Sequence, residues 1–259
     1  MTVRQSPDRP RPPVGAETMS SAMLEIPQYY RWMVAQFAEA LGDTVLDVGT
    51  GPGVHLPFLG ARRLIAADLS ADCLADLRRR FPALETAQGD LCDPAFTAAM
   101  AGKGVDTITC LNVLEHIEDH AAALAAFRAI LAPRSGRLVL VVPAHQALYG
   151  AMDRLAGHVR RYSRSMLVGL LRRAGFIPAQ VRHFNCVGGL AWYLNARLLP
   201  VRDLSSPAVN GQIRVFGTVV LPIARLVDAV VGRTLHLPFG QSLIAVATVT
   251  AGETRPSSA

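Results

Sequence analysis

The chain has 259 residues, 51% of them hydrophobic and 18% charged, with a positive mean hydropathy, which excludes a disordered tail and leaves ample chain for one large core. The formal net charge is +6, but residues 1–150 carry 13 basic and 16 acidic side chains, against 13 basic and 4 acidic in residues 151–259. Lys103 is the single lysine, so the basic excess is arginine, a weak signal for nucleic acid.

Residues 1–20 place Pro7, Pro10, Pro12 and Pro13 among charges with no apolar core, which predicts a disordered leader rather than a secretory signal, ahead of one domain over 21–259. Cys73, Cys92, Cys110 and Cys186 form no CxxC pair, so free thiols and a cytoplasmic location are expected. Ile26 to Leu41 has helical apolar spacing, with Pro27 in its first turn. Thr44 to Val48 is a strand feeding into Gly49-Thr50-Gly51-Pro52-Gly53, which is expected to open into a helix. Strands follow at Leu64–Asp68, Leu84–Gln88, Val105–Asn112 and Arg137–Val142, the last ended by Pro143. Helices are expected at Ala71–Phe81, Pro94–Ala101 and Asp119–Leu131. Such alternation implies parallel pairing, because each return needs a crossover. Ser163 to Ala174 is a capped helix, and Ile177–Phe184 and Ser242–Val249 are the last strands. The stretch 187–238 between them is too long for a loop and contains apolar runs at Val187–Leu199 and Ile213–Val231, read as a helical insertion. The latter run is broken by Arg214, Arg225 and Asp228, which disfavours a spanning helix but not an interfacial one. The expected fold is α/β: a doubly wound, seven-stranded sheet with strands 1–5 parallel and an antiparallel C-terminal strand.

A glycine turn after a strand lets a ligand approach the backbone closely. The spacing 49, 51, 53 is not that of a dinucleotide fingerprint, and Asp47 would repel a pyrophosphate. That carboxylate suits turn amides or a ligand ammonium. Asp68 and Asp90 end the next two strands, where an acid can take ribose hydroxyls and an adenine amine respectively; singly, each also reads as a cap or a loop solvator.

Together VLDVGTGPG, IAADLS, QGDLCD and DTITCLNVLEHI resemble the ligand motifs of class I S-adenosylmethionine-dependent methyltransferases, over roughly residues 29–176. The resemblance implies a Rossmann-like sheet and S-adenosylmethionine as cofactor. It puts Gly49 and Gly51 beside the methionine part, and Asp68 with Leu69 at the ribose. Asp90 with Leu91 falls at the adenine, Asn112 near the sulfonium, and Asp47 behind the turn. Tyr29 or Tyr30 either closes over the cofactor or packs the first helix on the sheet.

Methyl transfer from a sulfonium is an in-line displacement, so alignment and exclusion of water dominate, and a base helps only where the acceptor carries a proton. His116 and His158 are the candidates to orient or deprotonate the acceptor, with Tyr149 beside them in a loop that also holds His145, Asp153, Arg160, Arg161 and Tyr162. An alternative for that loop is an ion-paired hinge built on Asp153. His116 and His120, four apart, invite a metal reading, but no third ligand is evident and no metal is expected. The leading function is methylation of a small, hydrophobic acceptor such as a secondary metabolite. The alternatives are a membrane-peripheral enzyme of a lipid-linked substrate, docking through 187–238, and a protein that uses the cofactor without methyl transfer. No nucleic-acid partner is expected, since Asn112-Val113-Leu114-Glu115 stands where base-flipping amino methylases carry an Asn/Asp-Pro-Pro-aromatic tetrad.

Overall fold

A computed structural model describes residues 21–190, 206–234 and 238–249. The expected leader 1–20 and most of the expected helix Val187–Leu199 lie outside the described residues; a helical stretch at 186–190 is seen.

Seven strands form one sheet in the order β3-β2-β1-β4-β5-β7-β6. They are β1 (Thr44–Val48), β2 (Arg63–Asp68), β3 (Glu85–Gln88), β4 (Thr107–Leu111), β5 (Arg137–Pro143), β6 (Phe176–Phe184) and β7 (Ser242–Val249). The first five pair in parallel, and β7 runs antiparallel between β5 and β6. Because β1 pairs with both β2 and β4, the strand order reverses beside β1, where open sheets of this kind leave a crevice at their carboxyl ends.

The central strands bury both faces, and alternate side chains divide between two cores. Leu138, Leu140 and Val142 of β5 join one core, on the side of α3 (Pro94–Ala101), α4 (His120–Leu131) and α6 (Arg164–Arg173). Val139 and Val141 join the other, with α1 (Pro27–Val34) and α2 (Ala71–Arg80). A further short helix, α5 (Ala151–Leu155), lies in the loop after β5. α2, α3, α4 and α6 each start at a side-chain cap: Ser70, Asp93, Asp119 and Ser163 each accept a backbone N–H of the following turn, worth about 1 kcal/mol apiece.

Four expectations change. The first helix stops at Val34 rather than Leu41, because Phe37 leaves helical geometry while keeping its ring in the core, and Gln36 Nε2 donates to the Trp32 carbonyl at 2.9 Å. No α-helix follows the glycine turn: only a 3-10 turn at Leu56–Phe58 forms, with Pro57 at its start and Gly60 at φ +63° just beyond it. Pro143 does not end β5 but belongs to it, pairing with Ser242 while its carbonyl accepts from Tyr162 N at 2.9 Å. The insertion helix starts earlier than Ile213. Ser206 caps α7 (Pro207–Val215), a π-turn spans Phe216–Val220, and α8 (Leu221–Thr234) continues it. Asp228, a break in the apolar run, accepts Asn185 N at 2.8 Å and Cys186 N at 3.3 Å, so it fastens α8 to the end of β6. Among the described residues no helix is long and apolar enough to cross a membrane.

Candidate active site

A cavity of about 550 Å³ opens at the carboxyl ends of β1, β2 and β4. Its floor is the glycine turn, where Gly49, Gly51 and Gly53 all have positive φ, at 68°, 50° and 68°. The three are not equivalent. A Cβ on Gly49 would stand 2.5 Å from Val113 Cγ2, and one on Gly53 2.5 Å from Leu77 Cδ2, so these two allow close packing of the turn on the fold. A Cβ on Gly51 would meet no atom within 4 Å, because that position faces the cavity itself.

Asp68 is buried and holds this cradle: Oδ2 accepts Gly51 N at 2.8 Å and Oδ1 accepts Ser70 N at 2.8 Å. Each carboxylate oxygen keeps a further lone pair for a ligand hydroxyl. Asp90 Oδ1 accepts Cys92 N at 2.8 Å. Leu91 is buried and Leu69 exposed, and both line the cavity with Asp68, Asp90 and Asn112. Asn112 sits at φ 56°, and its N–H donates to the Val141 carbonyl at 2.8 Å, which turns the chain sharply at the end of β4. Tyr29 and Tyr30 both line the cavity and both pack the sheet. Burial pushes the Tyr29 phenol up to about 12 and the Tyr30 phenol higher still, so both stay neutral.

Asp47 takes neither place expected for it. Its side chain does not line the cavity and accepts no turn amide. Instead His55 Nε2 lies 2.8 Å from Oδ2, and Thr109 Oγ1 donates to Oδ1 at 2.6 Å, all three buried. The parallel register places Thr109 opposite Asp47. His55 lines the cavity in front of the carboxylate, so the imidazole meets a ligand and Asp47 orients the imidazole.

At the other end of the cavity the loops after β4 and β5 are pinned together. Arg160 donates to the Ile117 carbonyl at 2.5 Å and the Glu118 carbonyl at 2.7 Å, and Val159 N donates to the Glu115 carbonyl at 2.9 Å. This brings His116 and His158 into edge-to-face contact, ring centroids 4.8 Å apart, both lining the cavity. His158 Nδ1 is 2.9 Å from Asp153 Oδ1, which also accepts Arg161 Nε at 2.8 Å, while Asp153 Oδ2 accepts Gly150 N at 2.9 Å. The ion-paired hinge and the histidine site are therefore one structure. Tyr149 does not line the cavity: its hydroxyl donates to the His158 carbonyl at 2.7 Å and so acts on the backbone. His120 is separated from His116, which belongs to the 3-10 turn Leu114–His116, and faces Tyr162 Oη at 3.2 Å and Arg160 instead. His145, at φ 62°, stacks on His183 and Phe239.

Glu115 was not among the candidate site residues read from the sequence. It is completely buried, it lines the cavity, and among the described residues neither carboxylate oxygen meets a hydrogen-bond partner. Burial pushes its carboxyl up to about 7, opposed by His158. Burial, then His158, pushes the His116 imidazole down to about 4. The available signal was a lone carboxylate inside the apolar run VLEHI. His55 and Thr109 were also missed, because neither stands in a spacing that marks it.

A model for a methyltransferase domain matches residues 24–181. A probable S-adenosylmethionine-dependent methyltransferase of Mycobacterium tuberculosis is 28% identical over 137 residues, 51% of this chain and 48% of its own. A ubiquinone biosynthesis O-methyltransferase of Paraburkholderia xenovorans is 33% identical over 107 residues, 39% of this chain and 45% of its own. The chain thus spans about half the length of these curated relatives. A solved geranyl diphosphate methyltransferase in complex with S-adenosylmethionine superposes with a TM-score of 0.54 at 15% identity, covering 88% of this chain and 89% of that one.

Proposed function

Because the chain belongs to the methyltransferase-domain family, we propose that it transfers a methyl group from S-adenosylmethionine to a small, hydrophobic acceptor by in-line displacement. One observation carries this reading: a single cavity joins the Gly51–Asp68 cradle to the Glu115–His116–His158 corner. The residues present suit the cofactor, since Gly51, alone among the three glycines of the turn, faces open space that a side chain would fill, and acids stand at the end of β2 and in the loop after β3. Gly49 and Gly51 would border its methionine part, Asp68 and Leu69 its ribose, Asp90 and Leu91 its adenine, and Asn112 its sulfonium. When bound, it supplies a methyl group already activated by positive charge. His55, braced by Asp47, and Tyr30 enclose the cradle and keep water out of it. His116 and His158 orient the acceptor's nucleophilic atom. The apolar part of the wall, including Phe216, Ile213 and Met152, favours an acceptor with a hydrophobic body. The ubiquinone-biosynthesis relative is named for O-methyl transfer, which favours a hydroxyl acceptor here.

The test is incubation with methyl-labelled cofactor and a panel of hydrophobic phenols and alcohols, reading labelled product by mass. His116→Ala and His158→Ala variants that both keep full turnover would refute the role of the histidines.

A second reading has its own observation. Val215, Val219, Ile223, Leu226 and Val230 are all more than half exposed and recur every three or four residues from the end of α7 through the π-turn into α8, so they share one face. Such a stripe, with exposed Arg225 beside it, suits the surface of an anionic membrane and a lipid-linked acceptor. Co-sedimentation with phosphatidylglycerol vesicles, lost in a Val219→Ser/Leu226→Ser variant, supports it; no co-sedimentation of the full chain removes it.

A further inference from the structure

Glu115, His116 and His158 each offer one ligand atom, and the three atoms lie within 4.8 Å of one another on the cavity wall. Among the described residues neither Glu115 carboxylate oxygen has a hydrogen-bond partner: His158 Nε2 is 3.9 Å from Oε1, and the His158 and Arg161 charges favour the anion only through space. A fully buried carboxylate without a hydrogen bond is strongly disfavoured. Among the described residues His116 Nδ1 is likewise buried and makes no hydrogen bond. The Arg161 guanidinium is paired with Asp153. The corner therefore holds two carboxylates, one arginine and two histidines, one negative charge in excess when Glu115 is ionised and the imidazoles are neutral.

We propose that this corner binds a divalent transition-metal ion of the zinc type, with Glu115, His116 and His158 as its protein ligands. Two imidazoles and one carboxylate suit zinc or iron(II) rather than magnesium, which takes oxygen ligands. Metal-bound histidines characteristically pass their second ring N–H to a carboxylate, and His158 has this arrangement: Asp153 takes Nδ1 and leaves Nε2 directed at Glu115. Asp153 is itself fixed by Arg161 and Gly150, so the ring is aimed before any ion arrives. Ligand bonds of about 2.0–2.2 Å hold ligand atoms roughly 3–3.5 Å apart, so the three side chains close on the ion by about an ångström.

Three protein ligands leave at least one position open towards the cavity. The consequence for the acceptor rests on the methyl-transfer reading. An acceptor hydroxyl bound at the open position releases its proton to solvent more readily, and its oxygen then bonds to the methyl carbon as the carbon–sulfur bond breaks. The acceptor class is accordingly a hydroxylated, hydrophobic molecule, a phenol or catechol above all.

The test uses the full chain stripped with chelator, then titrated with Co²⁺ and followed by visible absorption, with Zn²⁺ as competitor. One Co²⁺ per chain, displaced by Zn²⁺, is expected. The bands should vanish in Glu115→Ala and His158→Gln, and Asp153→Asn should weaken binding about 10- to 100-fold. Isothermal titration with S-adenosylhomocysteine, unchanged in the variants, establishes that they are folded. The site is overturned if the cofactor-competent chain binds no Co²⁺, or if binding survives in the Glu115→Ala/His158→Gln double variant. Should Co²⁺ bind as expected while no phenol or alcohol is methylated, the site stands and the acceptor reading fails. Metal-free protein that methylates a phenol at full rate leaves the transfer reading intact and overturns the ion's part in activating the acceptor.

Discussion

Gly51 donates its backbone N–H to Asp68 Oδ2 at 2.8 Å, so the residue that opens the cavity floor is held by the carboxylate that ends the neighbouring strand. The acid thus shapes the turn as well as presenting lone pairs to a ligand. Asp68→Asn keeps the size of the side chain but sets an amide N–H₂ against one of the two N–H groups, Gly51 or Ser70, that the carboxylate satisfies. Hydrogen bonds to charged groups are worth about 1.5–3 kcal/mol, so cofactor affinity should fall about 10- to 100-fold. Isothermal titration with S-adenosylmethionine checks it, and unchanged affinity would remove Asp68 from the site.

The unequal surroundings of Gly49 and Gly51 predict opposite consequences for the same substitution. Gly51→Ala meets only the left-handed backbone penalty of about 1–2 kcal/mol, since no atom lies within 4 Å of the added carbon. The protein should fold with a slightly lower Tm yet lose cofactor binding. Gly49→Ala drives its Cβ into Val113 and should lower Tm well beyond the Gly51 variant. Thermal melts with and without cofactor separate the two. Equal Tm values would contradict the packing asymmetry.

His55 and Asp47 form a buried pair 2.8 Å apart. His55→Leu leaves the carboxylate with Thr109 alone, at a cost of at least about 2 kcal/mol, or roughly 4–8 °C in Tm for a chain of this size. Adding Asp47→Leu to that variant removes the stranded carboxylate, so the double variant should lose less than the sum of the single losses. Additive losses in denaturant unfolding would show that the pair is not coupled.

Arg160 clamps the loop after β5 to the loop after β4 through two carbonyls, of Ile117 and Glu118. A planar guanidinium can reach both, whereas an ammonium has no such fork. Arg160→Lys should therefore behave like Arg160→Ala: faster proteolysis within 146–160 and a higher KM for the acceptor, with cofactor affinity kept. Proteolysis at the wild-type rate in both variants would show that the clamp does not order the loop.

Much of the sheet was legible because its signals are local. Thr44–Val48, Pro94–Ala101 and Ser242–Val249 carry their own β-rich runs or caps, and the structure has those same bounds. Elements went astray where a tertiary contact overrode the local pattern. Phe37 ends α1 by packing into the core, and the apolar stretch after Ile213 is continued backwards by a cap at Ser206.

The sequence by itself determined the alternation of strands and helices, the glycine turn, and the acids at the ends of β1, β2 and the loop after β3, because backbone propensity and the period of apolar residues act over a few neighbours. Tertiary structure decided what those acids do. Asp47 is turned to His55 and Thr109 by the register of β1 with β4, and Asp68 to Gly51 by the neighbouring strand. It also decided that Glu115, His116 and His158 share one corner while His120 does not. Charge, burial and an unsatisfied hydrogen bond are properties of a side chain's surroundings, and residues 115 and 158 become neighbours only once two distant loops are clamped together.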